Sequence, residues 1–188
     1  LNLVIIAKSI KIFKGLITMY RIGQGFDIHQ LMSKQDYKHQ NNADRELILG
    51  GVVILGSQYV AVGHSDADCL LHAIVDALLG AAALGDIGQH FPDHDPKYKN
   101  IASSKLLEAT YKKISSLGYQ IVNIDSTIVL EKPKLANFIE EIRINIASVL
   151  GIKNDIVNVK AKTNEKLDSI GSYEAISAQA VVLLCKNS

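Results

Sequence analysis

At 188 residues, with 48% hydrophobic and 21% charged residues and a net charge of +1, the chain has the composition of one globular domain with a sizeable core. The near-neutral charge gives no bulk electrostatic case for nucleic acid or a membrane surface, and no apolar run approaches the ~20 residues that span a bilayer. Cys69 and Cys185 are the only cysteines, which excludes a disulfide framework and points to a reducing compartment.

Residues 1–19 read as a leader or N-terminal extension. The stretch is apolar, carries Lys8, Lys11 and Lys14 and has no acidic residue, as a targeting remnant or an added leader would. An extra packed strand or helix fits the same pattern. Met19 stands just before the first motif, so a single domain is expected over residues 20–188. Residues 20–28 alternate weakly and predict a first strand carrying Asp27-Ile28-His29, with both polar side chains on one face. Gly23-Gln24-Gly25 inside it signals close backbone approach or a bulge; lacking a third, correctly spaced glycine, it is not a dinucleotide fingerprint. Residues 31–45 are mostly polar, His39 included, and predict a surface loop. Residues 46–49 and 52–55 predict short strand pieces around a Gly50-Gly51 turn.

Gly63-His64-Ser65-Asp66-Ala67-Asp68-Cys69-Leu70-Leu71-His72 then runs into a helix expected over residues 70–84. Ser65 and Asp66 are its expected caps, and Gly85 its stop. Apolar on nearly every side, with five alanines, it belongs in a core or at an interface. Residues 86–96 predict a loop, and 103–117 an amphipathic helix stopped by Gly118. Residues 121–130 predict a half-buried strand, and 133–150 a helix begun by Pro133 and closed by Gly151. A strand over 156–163, a turn at 170–173 and a last strand over 175–185 complete the chain. The expected fold class is α+β, an α/β sandwich of a mixed β-sheet with helices on one face.

Asp27, His29 and His72 offer one carboxylate and two imidazoles, an open-site set for zinc that leaves a fourth position for substrate. Asp68 and Asp76 lie one helical turn either side of His72, and either can orient its free ring nitrogen; as plain helix charges they would face water. His64-Ser65 ahead of a helix N-terminus makes a natural phosphate site, or simply a loop residue and a cap. In Lys160-Ala161-Lys162-Thr163-Asn164-Glu165-Lys166 the lysines and the hydroxyl suit phosphate, and Glu165 suits a hard cation such as magnesium; a solvated strand end has the same composition. Lys132 and Lys134 at an expected helix start oppose its dipole, a weak pointer to an anionic ligand.

Several of these stretches occur in series: Arg21-Ile22-Gly23-x-Gly25-Phe26-Asp27-x-His29, Gly63-His64-Ser65-Asp66-x-Asp68, Asp76-Ala77-Leu78-Leu79-Gly80-Ala81-Ala82-Ala83-Leu84-Gly85-Asp86-Ile87-Gly88, Phe91-Pro92-Asp93-x-Asp95, Pro133-Lys134 and Thr163-Asn164-Glu165-Lys166-Leu167. From Tyr20 to the C-terminus the chain resembles the 2-C-methyl-D-erythritol 2,4-cyclodiphosphate synthase family. The resemblance implies a zinc-dependent step of non-mevalonate isoprenoid biosynthesis, in which 4-diphosphocytidyl-2-C-methyl-D-erythritol 2-phosphate cyclises and releases CMP. By that resemblance Asp27, His29 and His72 are zinc ligands, one ion per subunit, and Asp27, Ile28 and His29 also border the substrate. His64 and Ser65 contact its phosphates. His64 and Thr163 are the catalytic positions, stabilising the transition state. Glu165 holds magnesium or manganese, and Lys162 and Asn164 flank it at the diphosphate. Asp86, Ile87 and Gly88 contact ribose and methylerythritol. Phe91, Pro92, Asp93, His94 and Asp95 form a substrate loop, and Leu130, Glu131, Lys132, Pro133, Lys134, Leu135 and Ala136 the cytidine pocket. The family forms homotrimers with active sites between subunits. A bacterial cytoplasm or a plastid-type organelle is the implied setting, with no nucleic-acid or membrane partner.

The chain departs from the family's pattern in three places. The polar stretch after Leu31 is longer. Lys162-Thr163-Asn164-Glu165 replaces a common Thr-Thr-Thr-Glu run. Ser169 and Ser172 stand where bacterial members carry an aromatic and an arginine, so weak or absent binding of isoprenoid diphosphates in a central cavity is expected. Two other readings of the same residues are a zinc phosphohydrolase, which would use an activated water, and a non-catalytic trimer that binds nucleotides or isoprenoid phosphates.

Overall fold

The computed structural model describes residues 18–187 except 42, 93 and 99. Residues 1–17 of the expected extension, and Asp93 of the expected substrate loop, lie outside the described residues. In chain order the elements are β1 (Thr18–Ser33), α1 (Lys34–Asn41), β2 (Ile48–Leu49), β3 (Val52–Val53), β4 (Tyr59–Val62), α2 (Cys69–Ala81), α3 (Ser103–Ser116), β5 (Gln120–Val129), α4 (Ile139–Leu150), β6 (Val157–Lys162) and β7 (Ala175–Asn187). One-turn helices at Ile87–His90 and Asp168–Gly171 and 3₁₀ turns at Pro96–Tyr98 and Asn154–Ile156 lie between them.

Five strands form one mixed sheet in the order β4-β1-β7-β5-β6, with only the β5–β6 pair parallel. β2 and β3 form a separate hairpin turned by Gly50 and Gly51, both in the left-handed region. Helix α2 packs on β1 and β7, α3 on α2, and α4 on β6. Ten of the 13 residues of α2 are buried, so the apolar stretch is the centre of the core rather than an exposed surface.

Along β1 the side chains alternate. Gly23, Gly25, Asp27 and His29 share one face, while Tyr20, Ile22, Phe26 and Ile28 are exposed on the other, with Val181 of β7 also exposed. A Cβ on Gly23 would lie 2.0 Å from the carbonyl oxygen of Ala77, and one on Gly25 2.0 Å from that of Ala73. Here strand and helix backbones touch, and Ala73, Ala77 and Ala81 supply the small side chains that allow it. Close approach, not a bulge, is the role of Gly23-Gln24-Gly25.

Several expected boundaries shift. Of residues 31–45, expected as a loop, 31–33 continue β1 and 34–41 form α1, which has no buried residue and so no apolar periodicity to mark it; 43–45 lack regular structure. Its first turn is held by Ser33 and Asp36, whose side chains bond at 2.6 Å. Helix α2 ends at Ala81 with Ala83 in the left-handed position (φ 57°), two residues before Gly85. Its N-cap is Asp68, not Ser65 or Asp66. Helix α4 starts at Ile139, six residues after Pro133, so Lys132 and Lys134 do not sit at a helix start. Strand β4, too short for a periodic signal, pairs Gln30 to Ser33 with Tyr59 to Val62.

The backbone contact predicts opposite outcomes for two alanine substitutions. Gly25→Ala places a methyl into the Ala73 carbonyl and should lower stability by about 1–3 kcal/mol or more. Gly80→Ala, whose Cβ would sit 3.8 Å from the nearest atom, Gln24 O, should be neutral or stabilising by up to about 1 kcal/mol. Urea unfolding midpoints of the two variants check this; equal effects would contradict the contact.

Candidate active site

The β1–α2 contact sets three donors against one another. Asp27 and His29 point from β1 toward α2, and His72 points back from the first turn of the helix. Asp27 Oδ2 lies 3.1 Å from His29 Nε2 and 3.1 Å from His72 Nδ1, and the two ring nitrogens are 3.1 Å apart. Three ligands of a tetrahedral cation with bonds of about 2.0–2.1 Å stand about 3.3 Å apart. The near-equilateral triangle therefore fits a divalent cation, and it is the only His/Cys/Asp/Glu group of this kind among the described residues. Cys69, whose thiol donates to the Asp27 carbonyl at 3.2 Å, is not part of it; burial pushes that thiol far up, so it stays protonated.

Electrostatics bind the three groups together. Burial alone would raise the Asp27 carboxyl, but the His29 and His72 imidazoles hydrogen-bonded to it hold it well below the usual carboxylate range. Burial opposes the charged form of His72, yet the Asp27 carboxylate outweighs it and raises the ring's pKa above the ordinary value of 6.5. A cation bound here takes the place of those protons.

The triangle floors a cavity of about 330 Å³, lined by His64 and Ser65, by Ile87, Gly88 and Phe91, and by Tyr98, Ile101 and Leu106. His64 Nε2 is buried with no hydrogen-bond partner within the protein. Tyr98, Ile101 and Leu106 carry no motif, and only the folded chain reveals them as walls. Ile28 faces the opposite side of the sheet. Asp86 caps the one-turn helix through Gln89 N at 3.0 Å and Gln89 Nε2 at 2.5 Å. Asp95 pairs with Lys97 at 2.8 Å, and neither Pro92, His94 nor Asp95 lines the cavity.

The outer partners of His72 are not the aspartates its helical spacing favoured. Asp68 is fully buried and accepts from the N–H groups of Gly50 (2.9 Å), Gly51 (2.6 Å) and Leu71 (3.0 Å), closing the helix end and pinning the β2–β3 hairpin. Burial pushes its carboxyl up to about 6 against those three donors. At φ −75°, ψ 89° it lies outside the helix, so the i, i+4 rule does not place it beside His72. By occupying the Leu71 N–H it also takes up a donor that an anion at the helix start would need. Asp76 accepts from Ile87 N at 2.7 Å. His72 Nε2 instead meets Ser103 Oγ at 2.8 Å and Ser65 Oγ at 3.2 Å, and Ser103 Oγ bonds Asp66 Oδ1 at 2.5 Å. Arg45, at the end of the polar stretch, donates to the carbonyls of Gly63 (3.1 Å) and Ser65 and holds the His64–Ser65 loop.

A second cavity, of about 400 Å³, is lined by Leu130, Pro133, Lys134, Leu135, Ala136, Lys162, Thr163 and Glu165, with Ile139 and Ala161. Thr163 Oγ1 donates to Glu165 Oε1 at 2.5 Å. Glu131 turns inward, accepting from Asn164 N at 3.1 Å. Lys132 leans over the Tyr173 ring, and Lys160 is paired with Asp125 at 2.6 Å; neither lines the cavity. No residue lines both cavities. In sheet register Asp27 faces Ala178, Ala178 faces Ile128 and Ile128 faces Ala161. Three strand spacings, about 14 Å, separate the two groups. Within one chain, His64 and Thr163 are not brought together.

Two outcomes follow for metal binding. His72→Ala should keep the native far-UV circular dichroism but lose the bound divalent metal, measured by elemental analysis after gel filtration; stoichiometric metal would refute the ligand assignment. In the unaltered protein, metal affinity should fall as pH drops through the raised His72 pKa, with proton release seen by calorimetry in buffers of different ionisation enthalpy.

Residues 20–185 match the model of the YgbB family. The chain is 51% identical over 170 residues to a protein of Neisseria gonorrhoeae named 2-C-methyl-D-erythritol 2,4-cyclodiphosphate synthase, covering 90% of this chain and 99% of that one. Among solved structures, IspF of Plasmodium falciparum in complex with CDP superposes with a TM-score of 0.75 at 36% identity, covering 90% of this chain and 97% of that one. The bifunctional IspDF of Campylobacter jejuni superposes at 0.81 with 38% identity over 90% of this chain, which spans 43% of that longer one.

Proposed function

This chain belongs to the YgbB family, alongside relatives named 2-C-methyl-D-erythritol 2,4-cyclodiphosphate synthase, and from that premise we propose that its two cavities form the halves of one cyclising site. The reaction converts 4-diphosphocytidyl-2-C-methyl-D-erythritol 2-phosphate to 2-C-methyl-D-erythritol 2,4-cyclodiphosphate and CMP, a phosphorus–oxygen lyase step of isoprenoid biosynthesis. An oxygen of the 2-phosphate forms a bond to the β-phosphorus, the bond from that phosphorus to the α-phosphate oxygen breaks, and CMP leaves with the electron pair. Nucleophile and leaving group both belong to the substrate, so the protein positions them and stabilises charge.

The observation that carries this reading is the three-donor triangle flooring a cavity walled by His64 and Ser65. Asp27, His29 and His72 would hold zinc, which when bound withdraws charge from phosphate oxygens as a Lewis acid. His64 Nε2, without a partner in the protein, would donate to or accept from a substrate phosphate. The Ser65 oxygen already accepts from Ala67 N at 3.1 Å, so its hydrogen is available to donate. Ile87, Phe91, Tyr98 and Ile101 exclude water, which favours attack by the tethered phosphate over hydrolysis. Glu165, with Thr163 beside it, would hold magnesium at the diphosphate, and Leu130 to Ala136 the cytosine. The relative solved with CDP supports a cytidine diphosphate ligand.

Residues 20–188 act as one domain, assembled as a homotrimer. The exposed apolar row Tyr20, Ile22, Phe26 and Ile28 supports an interface on the open face of the sheet, and the separation of the two cavities supports sites completed by a neighbour. Among the described residues no helix is long and apolar enough to cross a membrane; bacterial cytoplasm or a plastid-type organelle suits the pathway.

A ³¹P NMR assay with the cytidine substrate, zinc and magnesium should show a cyclic diphosphate with equimolar CMP; CMP with an open-chain diphosphate would indicate a hydrolase. Mixing inactive His64→Ala and Thr163→Ala chains after subunit exchange should restore about one quarter of full activity, since half the subunits carry each intact half-site. No recovery would place the whole site within one chain.

A further inference from the structure

We propose that Ser103 and Asp66 form a positioning relay on His72, one that holds the ring for metal binding through Nδ1 and leaves the Ser65 hydroxyl free to donate into the cavity. The proposal rests on the metal-dependent reading above. His72 Nδ1 faces Asp27 and His29, so a ring that binds a cation there carries its hydrogen on Nε2. That Nε2–H has two oxygens within reach. Ser103 Oγ is nearer, at 2.8 Å against 3.2 Å for Ser65 Oγ.

Ser103 is oriented to accept it. Its own hydroxyl hydrogen goes to Asp66 Oδ1 at 2.5 Å, and its backbone N–H goes to Asp66 Oδ2 at 2.9 Å, so the carboxylate grips the residue at two points. Ser103 is fully buried, and no water competes for its oxygen. A carboxylate thus reaches a metal-binding histidine through one serine, an arrangement that polarises the ring and fixes its orientation and tautomer. Without Ser103, the Ser65 oxygen would be the sole acceptor for Nε2–H and would be drawn toward the ring.

Asp66 also joins the relay to the loop that contacts substrate. Its N–H donates to Ile101 O at 3.2 Å, and Asn100 N donates to His64 O at 2.9 Å. The segment that carries Ser103 is therefore tied to both His64 and Asp66. The relay coordinates two placements, those of the metal ligand and of the His64–Ser65 pair.

Ser103→Ala should weaken metal binding about 10–100-fold, measured by competition with a chromophoric chelator on folded protein. Ser103→Thr, which keeps the hydroxyl, should restore most of that loss. In the cobalt-substituted protein Ser103→Ala should shift the visible ligand-field bands. A purely structural Ser103 would lower the unfolding temperature while leaving metal affinity and cobalt spectrum unchanged, and that result overturns the proposal. If Ser103→Ala fails to fold, long-range ¹H–¹⁵N NMR of the unaltered zinc-loaded protein decides. A metal-bound Nδ1 with a slowly exchanging, downfield Nε2–H supports the relay; a metal-bound Nε2 or a rapidly exchanging proton refutes it. These readouts need no turnover, so loss of the relay and failure of the cyclase reading are separately visible.

Discussion

The backbone of β1 touches the backbone of α2 at Gly23 and Gly25, and no side chain larger than hydrogen would permit it. Ala73, Ala77 and Ala81 complete the contact from the helix side. Two residues beyond Gly25 comes Asp27, four beyond it His29, and one residue before Ala73 stands His72. The three-donor triangle is therefore an extension of the packing contact: its two 3.1 Å edges to His72 are set by how closely strand and helix lie, and the third, between Asp27 and His29, by their i, i+2 spacing on β1. The other seven buried residues of α2 hold the helix in the core, and the Asp68 carboxylate locks its first turn to the β2–β3 hairpin.

What could be read from the residues in order was mostly local. The Asp27-x-His29 alternation needs only the pleat of a strand, and the structure places both side chains on one face as that alternation predicts. Gly23-Gln24-Gly25, the Gly50-Gly51 turn and the helix closed by Gly118 are also short-range signals, and each has its expected local role. The failures share a cause. Helix α1 buries nothing, so it leaves no periodic trace. Asp68 is spaced as a partner of His72, but capping takes it out of the helix and spends its oxygens on three backbone donors. Ser103 is 31 positions from His72, and Arg45 18 from Gly63; such contacts exist only after the chain folds. Pro133, a plausible helix start, instead lines the second cavity.

The two cavities divide the candidate chemistry. One holds the three-donor triangle with His64 and Ser65 in its wall; the other holds Lys162 at the end of β6 and Thr163 and Glu165 just after it. A sheet that sets two strands and three strand spacings between them does not unite them within a chain. The same sheet leaves an apolar row open on its far face, where three copies could meet. In the proposed trimer these two features are one solution: burying the open face brings the edge of one subunit against its neighbour.

The most direct test of backbone-set assembly is a crystal of the zinc-loaded protein measured on both sides of the zinc absorption edge. A single strong anomalous peak per chain, within bonding distance of Asp27, His29 and His72 Nδ1, is the predicted result. A peak elsewhere, or one ligated by His72 Nε2, would contradict the claim that the β1–α2 contact builds the metal centre.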